Sequence, residues 1–137
     1  MDKPYLHHLL IAAREVERSR RFYADVLELE EIARPAFPYP GAWFRIGNNQ
    51  QLHVVVRSET ISRGEKNIDS WDVHFALRVK SYRETVAWLQ GKGFREDAPE
   101  NDLRKMIVKP DSITGNPQIY ILDPDRNVIE FNCESLE

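Results

Sequence analysis

The chain repeats itself at about half its length. His8 opens the run His-Leu-Leu-Ile-Ala and His74 opens His-Phe-Ala-Leu-Arg-Val. Fourteen residues after each histidine stands an aromatic, Phe22 in the first case and Trp88 in the second, so both pairs are offset by 66 residues in a chain of 137. Self-similarity at a fixed period constrains a fold more strongly than local propensity does, because each copy has to form the same supersecondary unit. Two copies are too few for a solenoid. They imply one unit, duplicated and paired.

Each copy has the same order of elements. Leu6 to Ala12 is an apolar, partly β-branched run of strand length. Residues 16–28 then place Val16, Phe22, Tyr23, Val26 and Leu27 mostly three or four apart, the spacing of an amphipathic helix. In the second copy the strand is expected at about 72–79 and the helix from Tyr82 to about Gly91, with Ser81 and Glu84 forming a Ser-x-x-Glu capping box. Three short strands should follow each helix, near 29–34, 42–47 and 51–57 in the first half and near 94–97, 117–122 and 127–133 in the second. Met106-Ile107-Val108 reads as an additional strand before Pro110. Gly47-Asn48-Asn49 and Asp123-Pro124-Asp125 mark turns, and 35–41 and 58–70 are polar or proline-containing loops. The predicted fold class is therefore α+β. Two βαβββ modules, at about 5–57 and 72–133 of one domain spanning 1–137, bury their apolar faces by pairing into a curved eight-stranded sheet with helices outside and a cleft inside.

Strand alternation indicates which side chains share the cleft. If His8 faces inward, so do Leu10 and Ala12. His53 travels with Gln51, Val55 and Arg57, His74 with Ala76 and Arg78, and Glu130 with Val128 and Asn132. His8 and His74 lie on the first strand of their modules, His53 and Glu130 on the last. An imidazole or carboxylate at all four matching positions is what a metal held between the halves requires. Such ligands suit Zn, Ni, Co, Mn or Fe(II). A lone strand histidine is ordinarily a half-buried or surface residue, and Glu130, between Ile129 and Phe131, could by alternation equally face solvent. The joint placement on the repeat is what favours the metal. His7, adjacent to His8, is expected to point the other way.

Composition narrows the partners. With 22 acidic and 19 basic residues the formal charge is −3, which gives no electrostatic reason to expect nucleic acid or an anionic membrane. The single cysteine, Cys133, excludes an intrachain disulfide framework and fits a reducing compartment. The N-terminal residues lack a basic region followed by an apolar one, and Leu9 to Ala13 is too short to span a bilayer, so a cytoplasmic location is expected.

Several motifs then fall in a fixed order. They are His8-x6-Glu15 with Ser19, Phe22-Tyr23 and Leu27, then Leu52-His53-Val54, Val73-His74-Phe75-Ala76-Leu77, and Asp123-Pro124-Asp125-Arg126-Asn127-Val128-Ile129-Glu130. Their order and spacing resemble the vicinal oxygen chelate superfamily of glyoxalases, bleomycin resistance proteins and extradiol dioxygenases, over residues 5–132. The resemblance implies paired βαβββ modules, one divalent metal in the cup, a small substrate bound through two adjacent oxygens, and a homodimer, in some members with sites shared between subunits. His8, His74 and Glu130 match the three ligands that most metal-dependent members share. His53 matches the fourth, a Glu or Gln in glyoxalase I and methylmalonyl-CoA epimerase. Glu28 and Arg126 stand where the pattern has glycine, and Asn127 is expected to take up the left-handed conformation near the second.

The main expectation is an enzyme of the lyase or isomerase kind, in which the metal acts as a Lewis acid and Glu130 moves a proton at the adjacent carbon. Arg57 and Arg78, inward by alternation, are candidates for holding an anionic group of the substrate. One alternative is Fe(II)-dependent extradiol ring cleavage, since Tyr120, ten residues before Glu130, resembles that signature and becomes a candidate catalytic residue. The signature's acid–base histidine, however, is absent from Asp111-Ser112-Ile113. Two further alternatives are a non-catalytic antibiotic- or metabolite-binding resistance protein and thiol transfer to an antibiotic.

Overall fold

In the computed structural model, which describes residues 1–57 and 63–137, the chain divides into two compact units, Met1–Ser62 and Arg63–Glu137. Each begins with a strand headed by one of the repeat histidines. In unit 1, β1 (His8–Ala13) leads into α1 (Val16–Arg21), a π-helical turn (Phe22–Val26), and then β2 (Glu31–Ile32), β3 (Gly41–Ile46) and β4 (Gln50–Val56). In unit 2, β5 (His74–Ser81) leads into α2 (Tyr82–Gly91), β6 (Ile107–Lys109), β7 (Gln118–Leu122) and β8 (Val128–Ser135).

The two sheets have the same topology. Their strand orders are β1-β4-β3-β2 and β5-β8-β7-β6, with the first and last strands parallel and the remaining pairs antiparallel. Parallel neighbours need a long crossover, supplied in each unit by the helix and the intervening strands. These are the two βαβββ modules that the repeat implied.

One face of each sheet is buried beneath its helix. In unit 1, Phe22, Tyr23 and Leu27 are buried along with Phe44, Leu52 and Val54, and the rings of Tyr23 and Phe44 lie 5.7 Å apart. In unit 2, Leu89 is buried along with Ile119, Ile129, Phe131 and Cys133, and Trp88 meets Phe131 edge-on at 6.0 Å. Each such side chain contributes about 1.5–3 kcal/mol relative to exposure, which fixes the strand register and so the opposite faces too. Ser81 caps α2 as its sequence implied, its Oγ accepting from the Glu84 N–H at 3.1 Å.

The structure corrects several sequence expectations. The strand expected at 94–97 reduces to one isolated bridge, Arg95 with Lys105, and β6 at Ile107–Lys109 takes its place. The turns around Pro99 occupy the interval, and proline has no N–H to give a ladder. The strand expected at 29–34 forms only at Glu31–Ile32. The single helix expected over 16–28 changes to π-helical hydrogen bonding after Arg21, with Leu27 N–H donating to Phe22 O at 3.0 Å. Glu28 then takes φ 57°, a left-handed position where glycine is the usual residue, and the Leu29 N–H reaches back to Tyr23 O at 2.9 Å, one residue further than the Schellman bond. In the β7–β8 turn it is Arg126, not Asn127, that adopts the left-handed conformation, at φ 66°. Asp123 dictates this: its carboxylate accepts from the Asp125 and Asn127 N–H groups and from Asn127 Nδ2, at 2.8–2.9 Å, leaving Arg126 at the apex. Part of the expected 58–70 loop, residues 58–62, lies outside the described residues.

Candidate metal centre

In unit 2 the face away from α2 carries His74, Tyr120 and Glu130. The register pairs His74 with Val128, Ala76 with Glu130 and Tyr120 with Glu130, so these side chains share one face by alternation. Glu130 is therefore not a solvent-face residue; it is 6% exposed. The Tyr120 hydroxyl donates to Glu130 Oε1 at 2.5 Å, and the other oxygen, Oε2, has no hydrogen-bond partner among the described residues. Burial, together with that bond and the carboxylate's charge, pushes the phenol pKa above its usual value, so Tyr120 remains a donor. The Tyr120 ring packs with Leu122 and Val128, and Ile68 and Ile107 cover them.

His74 stands edge-on to Tyr120 at 5.8 Å, and its Nδ1 lies 2.8 Å from the carbonyl oxygen of Asp72. A carbonyl can only accept, so Nδ1 donates, and the neutral ring with this bond has its lone pair on Nε2, the tautomer that binds metal through Nε2. Asp72 is itself tied down. Its carboxylate pairs with Arg63 and with Lys66 at 3.1 Å and accepts from the Val73 N–H at 2.8 Å.

Unit 1 presents a row of rings on the corresponding face. His8 pairs in register with Gln51, and His53 with Leu10 and Trp43. The His53 ring is stacked between His8, at 4.2 Å, and Trp43, at 3.9 Å, and is 7% exposed. This burial, reinforced by the neighbouring His8 and His7, lowers its pKa to about 4, so the ring is neutral at physiological pH. Its Nε2 lies 2.8 Å from Gln51 Oε1, so Nε2 donates and Nδ1 holds the free lone pair. His7 does not turn away from its neighbour: the Nδ1 atoms of His7 and His8 are 3.0 Å apart, one donating to the other.

The two units match in register as well as in topology. In each, the second candidate ligand sits two residues beyond the partner of the first: His53 beyond Gln51 opposite His8, and Glu130 beyond Val128 opposite His74. The donor chemistry suits a divalent cation, with imidazole nitrogens in both units and one carboxylate oxygen of Glu130 open. Among the described residues no group of three His, Cys, Asp or Glu side chains is placed to hold one ion. Each unit brings together two of the four candidates. Of the candidate arginines, Arg78 is exposed on the Glu130 face of β5, and Arg57 is exposed just past the end of β4.

Trp43 and Asp72 were not expected to be part of the surroundings, whereas Gln51 was. Alternation places Trp43 opposite His53 once the β3–β4 register is known, and Gln51 is in the inward set, but no sequence signal marks the carbonyl of Asp72.

The chain matches the family model of the Glyoxalase/Bleomycin resistance protein/Dioxygenase superfamily over residues 5–131. It belongs to that superfamily. Among solved structures it is similar to a glyoxalase family protein from Bacillus anthracis, with 24% identity, 97% of each chain covered and a TM-score of 0.74. It is also similar to a lactoylglutathione lyase from Agrobacterium tumefaciens, with 19% identity, 98% and 96% coverage and a TM-score of 0.67. A genomically encoded fosfomycin resistance protein from Listeria monocytogenes has 15% identity, 98% and 97% coverage and a TM-score of 0.69. At these identities the likeness establishes the shared fold. Among the described residues no helix is long and apolar enough to cross a membrane.

Proposed function

We propose that this superfamily member is a divalent-metal-dependent lyase or isomerase that moves a proton on a small substrate bound through two adjacent oxygens. His8, His74 and Glu130 are its ligands, with His53 as a fourth. The observation that carries the reading is the state of the donors in unit 2, where Asp72 leaves His74 Nε2 open and Tyr120 leaves Glu130 Oε2 open. The cation supplies Lewis-acid polarisation of a substrate oxygen, which acidifies the neighbouring carbon. Glu130, by leaving the cation transiently, would accept the proton released there and return it through Oε2, while the Tyr120 hydroxyl stays bonded to Oε1.

Elemental analysis of protein purified without added metal tests this reading. About one divalent ion per chain is expected, with loss of the metal in His74→Ala; metal-free wild-type protein overturns it. Iron accompanied by ring-cleaving activity transfers the site to oxygen chemistry. A symmetric homodimer is part of the proposal, because two short mixed sheets leave edges and faces to be covered. Sedimentation of a 16.1 kDa species at micromolar concentration excludes the dimer.

A further inference from the structure

The face of unit 2 that carries Glu130 continues past it into a polar row. Reading across the sheet, Ala76, Glu130, Tyr120 and Ile107 occupy one row, and two residues further along each strand Arg78, Asn132, Gln118 and Lys109 occupy the next. Two residues of strand rise separate the rows by about 7 Å. Of the four residues in that row, two are cationic and none is anionic.

Arg78 is exposed, and among the described residues its guanidinium makes no hydrogen bond or ion pair. Lys109 Nζ reaches Ser70 Oγ at 3.2 Å and lies 5.0 Å from the centre of the Tyr120 ring, with no ion pair to a carboxylate among the described residues. Gln118 Oε1 accepts from Ser112 Oγ at 3.0 Å, which leaves its amide NH2 to donate. Asn132 Oδ1 is buried with no hydrogen-bond partner among the described residues, and as an acceptor it would take a donor of the ligand, not its anionic oxygens. Glu130, in the neighbouring row, accepts from Tyr120 through Oε1.

We propose that this row is an anion subsite, taking a carboxylate or phosphonate on the substrate about 7 Å from the two oxygens that face Glu130. Arg78 supplies the fork that such an oxyanion fits, Lys109 adds a second positive charge, and the Gln118 NH2 lies on the strand between them as a neutral donor. The substrate class is accordingly a small acid with a vicinal pair of oxygens at one end and an anionic group two or three carbons away. This inference rests on the metal reading above, and its test separates the two.

Hydroxamates chelate divalent ions through two adjacent oxygens, so propionohydroxamate and its 3-carboxy and 3-phosphono derivatives differ only at the position that should meet the row. Calorimetric titration of the metal-loaded protein is expected to show one of the anionic derivatives binding about tenfold tighter than propionohydroxamate, and which one it is identifies the anion. Arg78→Gln should erase the difference and Lys109→Gln should reduce it. Equal affinities for all three probes, or a preference that survives the double substitution, overturns the subsite and leaves the metal standing. If no hydroxamate binds, the metal reading fails. The row is then tested by NMR of metal-free protein titrated with succinate: side-chain amide shifts at Asn132 and Gln118 that vanish in Arg78→Gln uphold it, and their absence overturns it.

Discussion

Replacing Tyr120 with phenylalanine removes one oxygen atom and tests the link between fold and site directly. The phenyl ring keeps its place among Leu122, Val128, Ile68 and Ile107, so the apolar packing is preserved. What is lost is the 2.5 Å bond from the hydroxyl to Glu130 Oε1. A hydrogen bond to an ionised group is worth about 1.5–3 kcal/mol, and at 6% exposure Glu130 has little water to replace it. Urea unfolding of metal-free Tyr120→Phe should therefore show a loss of about 1.5–3 kcal/mol. The metal should feel the change as well, because a carboxylate no longer held at Oε1 must be ordered at binding. Competition against a chromophoric chelator is expected to show metal affinity about 10–100-fold weaker, the range for outer-shell partners. An unfolding free energy and a metal affinity both indistinguishable from wild type would refute the reasoning. A stability loss with unchanged metal affinity would confine Tyr120 to the fold.

Three further outcomes follow from particular contacts. If His53 is a ligand, His53→Ala should weaken metal affinity as much as His8→Ala does; if its part is to position His8 by stacking at 4.2 Å, metal remains and turnover falls, and a variant unchanged in both excludes either role. Glu28→Gly should stabilise the protein by roughly 0.5–1 kcal/mol in urea unfolding, since glycine relieves the left-handed backbone there. Arg126→Gly should give no such gain, because it also removes the guanidinium bonds to the carbonyls of Lys66 and Asn101, both 2.9 Å, and a gain equal to that of Glu28→Gly would show those bonds to be worthless. Cys133 is fully buried and its thiol pKa is raised by that burial, so it should resist alkylation at pH 8 until the protein unfolds; rapid labelling of the native protein would contradict the packing.

The sequence by itself determined the modules. A 66-residue offset between His8 and His74, with Phe22 and Trp88 behind them, was enough to imply two βαβββ units, because duplicated apolar patterns must bury duplicated faces. It also determined which residues could share a face, since alternation is a local property of a strand. Where hydrogen bonding alone decides an element, local reading failed. The 94–97 segment, expected as a strand because the repeat calls for one after the helix, found only one partner at Arg95, and the end of the first helix took π geometry. The left-handed residue in the β7–β8 turn was misassigned to Asn127 because the choice belongs to Asp123, whose carboxylate gathers the turn around Arg126. Only the tertiary structure decided the state of the candidate ligands. That Glu130 is buried and bonded to Tyr120 depends on the pairing of β7 with β8. That His74 keeps Nε2 open depends on a backbone carbonyl two residues away, and that His53 is neutral depends on rings from two other strands. Side-chain type is written in the sequence, but protonation and hydrogen bonding are set by neighbours that only the register brings within reach.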